Sequence, residues 1–291
     1  MALVLLKRAG ETVSPLALNL FKNTLALVLL GVTVVALPGA VSDLRACSAR
    51  DFWVLSYIGI IGIAVADTLF LEALDRLGVG LISVVECTYS PFVLLFSAVL
   101  LAEPLTRSHY VGMSLIVGGV LLASRHPPPP GRTRMQVTLG LLLGAASMAL
   151  MSYGIVLVKP ILDEHSFPLI AATTIRLAAG TVPLALLAWA SPKRREHFAV
   201  FHVKPDWKWV VPGSILGTYV AMIFWVAGFK YANAAAVGIL NQTSIIFALI
   251  LARVFLRERL TRRKLLAIGL AATGVITVTM RWFDPSTITG G

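Results

Sequence analysis

Glu103-Pro-Leu-Thr106 returns 155 residues later as Glu258-Arg-Leu-Thr261, and the match extends outward on both sides. Arg107 falls on Arg262, Gly119-Val120 on Gly274-Val275, Thr88 on Thr243, Phe92 on Phe247 and Gly62 on Gly217. Toward the start of each copy the best offset drops to 153, where Pro15-Leu16 meets Pro168-Leu169 and Lys22-Asn23 meets Ile175-Arg176. The chain is therefore one unit written twice. Between the copies lies His126-Pro-Pro-Pro-Pro-Gly-Arg132, whose consecutive prolines forbid a helix and make a stiff surface linker.

What the unit contains follows from composition. Of 291 residues, 57% are hydrophobic and 13% charged, against about 25% charged in ordinary soluble domains. The polar residues are too few to cover a water-soluble core, so the solvent for this chain is a bilayer. Apolar runs of the length needed to cross it occur at 15–36, 52–74, 79–101, 106–124, 135–158, 167–190, 209–229, 233–256 and 262–281. Backbone in hydrocarbon must satisfy its own hydrogen bonds, and the runs lack the ten-residue alternation of membrane strands, so these nine spans are expected to be helices. Residues 1–9 are apolar but too short to cross, and their basic pair Lys7-Arg8 follows the apolar part, the reverse of a signal peptide. Subtracting the 153-residue offset from 135–158 puts their counterpart at about −18 to 5. They read as the end of a first helix whose beginning lies outside this sequence.

Five helices per complete copy is an odd number, so the two copies must sit in the membrane in opposite orientations. That is the plan of secondary transporters, whose substrate site lies near the midplane where the copies meet. Duplication without any transport role is the plainer alternative. The net charge of +11 does not point to nucleic acid, because most Lys and Arg sit in the breaks between spans. One set of breaks (7–14, 75–78, 125–134, 191–208, 257–264) carries 16 of them and the other set 6, which makes the first set cytoplasmic and the C-terminus external. Cys47 and Cys87 are too few for a disulfide framework, and the five histidines lie in or beside polar breaks, which excludes a histidine metal site at membrane depth. Five of six tryptophans mark span ends; Trp225 alone is inside a span.

The sequence resembles the drug/metabolite transporter superfamily, specifically its EamA-type ten-helix carriers. The resemblance rests on Ala66-Asp-Thr-Leu-Phe-Leu-Glu-Ala-Leu74 with Leu77-Gly78, on Tyr89-Ser-Pro-Phe92 running to Glu103-Pro-Leu-Thr106, and on Gly238-Ile-Leu-Asn-Gln-Thr-Ser244 running to Glu258-Arg-Leu-Thr261. It covers essentially the whole chain and implies an all-α, polytopic, inverted repeat of two five-helix bundles. The copies would be 1–125, its first helix incomplete, and 135–281, with a linker at 126–134 and a tail at 282–291. Two features depart from the family pattern. Pro91 has Ile246 as its counterpart, which confines any broken-helix geometry to one copy, and the first helix is nearly absent.

A charge in hydrocarbon costs at least about 2.5 kcal/mol, so each one calls for a reason. Lys22 with Asn23, Asp67, Glu86 and Arg176 lie inside spans, whereas Glu72 and Arg253 are close enough to span ends to snorkel. One reading is mutual neutralisation, with Lys22 and Arg176 paired to Asp67 or Glu86 to hold helices together. The other makes Asp67 or Glu86 a substrate counter-ion or proton-coupling carboxylate. Glu86 is preferred, because Cys87, Thr88, Tyr89 and Pro91 weaken the helix around it, and loosened backbone at that depth must line a cavity or be buried. The second copy has Asn241-Gln242-Thr243-Ser244 at the matching place, uncharged donors and acceptors suited to an amide, amino-acid or sugar-like solute, or to interhelical hydrogen bonds. Trp225, Tyr219 and Tyr153 are read either as packing or as apolar and cation-binding walls. Thr106 and Thr261 read as helix caps, and Gly112, Gly118, Gly119, Gly269 and Gly274 as points of close helix approach.

These observations lead to an expected exporter or exchanger that moves a small metabolite, such as an amino acid or related polar solute, across the inner membrane by alternating access. Its partners would be that solute, with proton coupling as an option, and the lipid bilayer; a homodimer is compatible, and no cofactor is implied. A lipid-linked sugar or small-lipid flippase of the same fold is the first alternative. An intramembrane enzyme is remote: no histidine is expected to be buried at membrane depth, and there is no Gly-x-Ser-x-Gly and no Asp pair at helical spacing.

Overall fold

The computed structural model describes residues 2–102, 104–124, 132–163, 168–202, 207–231, 247, 250–251, 254–255 and 262–280. Every regular element among them is helical. In chain order these are α1 (Ala2–Ala9), α2 (Pro15–Ala36), α3 (Ala40–Ala46), α4 (Ala49–Gly59), a π-helical turn (Ile60–Ala66), α5 (Asp67–Glu86) and α6 (Tyr89–Leu100). There follow α7 (Arg107–Ser124), α8 (Arg134–Asp163), α9 (Leu169–Ala190), α10 (Arg194–Ala199), α11 (Trp207–Ser214), a second π-helical turn (Ile215–Val220), α12 (Ala221–Tyr231) and α13 (Arg262–Met280). Among the described residues, five helical stretches are long and apolar enough to cross a membrane: Pro15–Ala36, Ala49–Glu86, Arg134–Ile161, Leu169–Ala190 and Trp207–Gly228. The span expected at 233–256 lies almost wholly outside the described residues.

The internal duplication is visible as geometry. The two π-helical turns begin at Ile60 and Ile215, 155 residues apart, the offset at which the sequence copies align. The short helices α3 and α10 also fall at matching places, α3 just after α2 and α10 just after its counterpart α9. The last helices of the copies, α7 and α13, pack along their length and run antiparallel: Gly112 faces Gly274 and Val278, and Gly119 faces Ala267 and Ala271. Any side chain at Gly112 or Gly274 would meet the opposite backbone at 2.6 Å, so the small residues set this approach. Repeat mates that meet antiparallel establish the inverted design. The copies also interlock elsewhere, α2 against α9 and the second π-helical turn, and α5 against α8.

The break expected at 75–78 is a one-residue reversal. Gly78 adopts φ 72°, ψ 172°, a left-handed conformation that a side chain would strain. Ala73 before it and Ile82 and Val85 after it face the same residue of α8, Gly144, so the two legs form a hairpin. At its apex Asp75 receives Lys7 Nζ (3.3 Å) and Arg132 Nη2 (2.7 Å). Arg8 Nη2 donates to the Phe255 carbonyl at 3.0 Å, and the Ser14 hydroxyl lies 3.3 Å from Nδ1 of His197 on α10. These contacts gather at one end of the bundle the segments around 7–14, 75–78, 132, 197 and 255, the face where the sequence concentrates its basic residues. Helix α1 packs by Leu5 and Leu6 against Gly213 of α11, and by Ala2 and Leu6 against Gly217. The N-terminal stretch is thus a helix seated on the second copy.

Candidate functional site

Asn19, Lys22 and Asn23 share one stripe of α2, since residues three and four apart stack on a helix face. All three are buried. That stripe meets the first π-helical turn and the start of α5, where the wider turn ends and Asp67 begins the next helix. Lys22 Nζ and Asp67 Oδ2 are 2.5 Å apart, an ion pair of a buried lysine and a half-buried carboxylate. Asn19 Nδ2 donates to the Ile63 carbonyl (2.9 Å) and the Thr68 hydroxyl (2.8 Å), and Asn23 Nδ2 donates to Oδ1 of Asn19 (2.7 Å). From α8, the Ser147 hydroxyl donates to the Ala66 carbonyl at 2.8 Å. π-Helical turns leave backbone groups out of the regular ladder and recur at functional sites. Here side chains from α2 and α8 bond two carbonyls of the turn, those of Ile63 and Ala66.

Arg176 occupies the equivalent face of α9 and is 7% exposed. Its position depends on a crossing of small residues: a side chain at Gly59 would collide with the Arg176 backbone, and one at Gly180 would come within 2.5 Å of the Gly59 carbonyl. The guanidinium carbon stands 5.4 Å from the Trp225 ring centroid, over the ring face. Arg176 interacts electrostatically with Tyr89 and Asp67, but its Nε and Nη1 have no hydrogen-bond partner. The same holds for the Tyr89 hydroxyl, Thr218 Oγ1 and Asn23 Oδ1.

Tyr89 opens α6 directly after a break at Cys87 and Thr88. The break is satisfied locally: Cys87 Sγ lies 3.5 Å from the Ser83 carbonyl, the Thr88 hydroxyl donates to the Val85 carbonyl (2.7 Å), and the Ser152 hydroxyl donates to the Tyr89 carbonyl (3.0 Å). The helix-weakened neighbourhood expected around Glu86 is therefore present. Glu86 is partly buried at the last position of α5, and among the described residues its carboxylate makes no hydrogen bond or ion pair.

The residues singled out in the sequence thus divide. Lys22 and Asp67 join as the neutralising pair, while Arg176, Tyr89 and Trp225 gather at a second place that shares the charge of Asp67. Thr88 is held by its own turn. Tyr219 bonds the Thr33 hydroxyl at 2.7 Å and so ties the copies together, and Tyr153 packs edge-on to Phe96 at 5.5 Å. Asn241 and Gln242 lie outside the described residues. Asn19, Ser147 and Thr218 are polar groups of this region that the sequence reading passed over. Asn19 had a legible signal, one turn before Asn23 inside an apolar run.

Comparison with known proteins agrees with this architecture. A solved crystal structure, described only as that of a protein, superposes with a TM-score of 0.66 at 21% identity, over 97% of this chain and 96% of its own. That likeness is one of fold. Among curated proteins none matches. The profile of the EamA-like transporter family matches residues 1–125 and again 138–280. Two matches that together span nearly the whole sequence place it: the chain belongs to the EamA-like transporter family, multi-pass membrane transporters of small solutes rather than enzymes.

Proposed function

We propose that the protein is a secondary transporter that exports or exchanges a small polar metabolite, such as an amino acid, across the inner membrane by alternating access. The supporting observation is the set of charged residues where the inverted copies interlock: buried Lys22 with half-buried Asp67 from one copy, buried Arg176 from the other. Charge at that depth is expensive and is retained in transporters along the solute path. Glu86, Asn241 and Gln242 are assigned to the same path. The loops rich in Lys and Arg face the cytoplasm in this reading.

Purified protein in liposomes, offered a pool of labelled amino acids and related metabolites, tests this directly. Uptake or exchange above protein-free liposomes is expected, and alanine at Glu86 or Asn241 should abolish it while membrane insertion and thermal stability stay near normal. Wild-type flux in both variants would move the site elsewhere. Translocation of a lipid probe with no solute flux would favour the flippase.

A further inference from the structure

We propose that Arg176, capped by Trp225 and flanked by the Tyr89 hydroxyl, is the docking point for the carboxylate of a small organic anion. The first argument is a count of ion pairs. The described core contains two close cations, Lys22 and Arg176, and one carboxylate that both of them sense, Asp67. Asp67 is already committed to Lys22 at 2.5 Å. Glu86 makes no ion pair among the described residues, and the sequence from Ala232 to Arg257 contains no acidic residue at all. Arg176 is thus the core cation left without a paired carboxylate among the described residues, and a guanidinium cannot shed its charge by losing a proton.

The second argument is the state of the donors. Nε and Nη1 of Arg176 and the hydroxyl of Tyr89 are buried without partners. Buried donors are almost always satisfied, so three unclaimed ones around one cation indicate an acceptor that arrives from outside. The acceptor must bring negative charge and several lone pairs. A monocarboxylate matches the one unpaired guanidinium, and charge-assisted guanidinium–carboxylate hydrogen bonds are about twice as strong as those between neutral groups. The third argument is the wall. Trp225, Tyr89 and Phe96 pack on one apolar cluster with Ile155 and Ile175, which suits a ligand with an apolar body behind its carboxylate.

This inference rests on the carrier reading only for the fate of the bound anion, so binding and flux are measured separately. Protein in nanodiscs is titrated by calorimetry and thermal shift with acetate, 4-methylpentanoate and phenylacetate, with the amide of each, and with inorganic phosphate. At least one carboxylate is expected to bind, its amide at least tenfold more weakly. Arg176→Gln should abolish that binding, and Arg176→Lys should keep part of it. Without ligand, Arg176→Gln should melt at or above the wild-type temperature, because it removes a buried charge that lacks a counter-ion; a purely structural arginine would give a lower melting temperature. The proposal is overturned if no carboxylate binds, if amides bind equally, if phosphate alone binds, or if Arg176→Gln binds the carboxylate as wild type does. Carboxylate that binds but is not carried into liposomes would defeat the carrier reading and leave this site standing. Flux that Arg176→Gln does not alter would do the reverse.

Discussion

The two copies solve one problem, a cation on the inner face of the matching helices α2 and α9, in different ways. In the first copy Lys22 is met by Asp67, which the next span supplies as its π-helical turn ends. In the second copy the residue matching Asp67 at the 155-residue offset is Met222, and Arg176 is met instead by the ring of Trp225, one turn further along. A carboxylate neutralises its partner; an aromatic face shields a cation and leaves its charge in place. The same scaffold thus occurs twice, and the differences at Lys22/Ile175, Asn23/Arg176 and Asp67/Met222 separate a closed electrostatic pair from an open one.

The largest effect should come from breaking the closed pair. Asp67→Ala leaves Lys22 buried without a counter-ion, a change that typically costs about 3–5 kcal/mol. The protein should lose most of its folded yield in detergent, and Lys22→Met added to Asp67→Ala should restore much of it. Equal stability of the single and double variants would show that the pair is not the closed unit described. Next comes the crossing that holds Arg176. Gly59→Ala drives a methyl into the α9 backbone and should cost about 1–3 kcal/mol by thermal unfolding. At the matching position of the second copy, Ser214→Ala should change little beyond its one hydrogen bond to the Val210 carbonyl. A Gly59→Ala protein as stable as Ser214→Ala would remove the asymmetry.

Trp225→Leu keeps an apolar filling but removes the ring over Arg176, for an expected loss of about 1–2 kcal/mol, of which Trp225→Phe should recover part. If Leu and Phe behave alike, the ring is packing and not a cation shield. The smallest contrast lies at the two π-helical turns. Ser147→Ala removes a buried hydrogen bond to the first turn and should cost about 1 kcal/mol. Thr218→Val, in the second turn, removes a hydroxyl with no partner and should be neutral or slightly stabilising. A loss at Thr218 as large as that at Ser147 would mean that the second turn is as fully satisfied as the first.

Much of this was legible in the sequence because it depends on periodicity and burial cost. The offset match announced the inverted bundle, the break at 75–78 came out as the Gly78 hairpin, and the polar run after Glu86 came out as the interrupted helix before Tyr89. The pairing of Lys22 with Asp67 stood among the readings weighed, since only opposite charges lower the cost of each other in hydrocarbon. The same reasoning offered Arg176 an acid, and there it fell short. Trp225 was noted as a cation-binding wall without a named cation, because the register between α9 and α12 is set by tertiary packing. The helices α3 and α10 went unseen, since six or seven residues of mixed polarity carry no span signal. The π-helical turns were hidden for another reason: Ile60–Ala66 and Ile215–Val220 are ordinary apolar runs whose composition does not distinguish a π-helical turn from an α-helix.

The antiparallel seam between α7 and α13 also dictates an order of assembly. Gly112 leaves the ribosome 162 residues before Gly274, the residue it packs against. At about 5–20 residues per second, that is an interval of roughly 8–32 seconds. Throughout it, the small-residue stripe of α7 has only lipid or an assembly factor against it. The first copy cannot be finished on its own, and translation halted anywhere before Arg262 releases a bundle with an open seam, the kind of surface by which membrane quality control can tell an incomplete chain from a complete one.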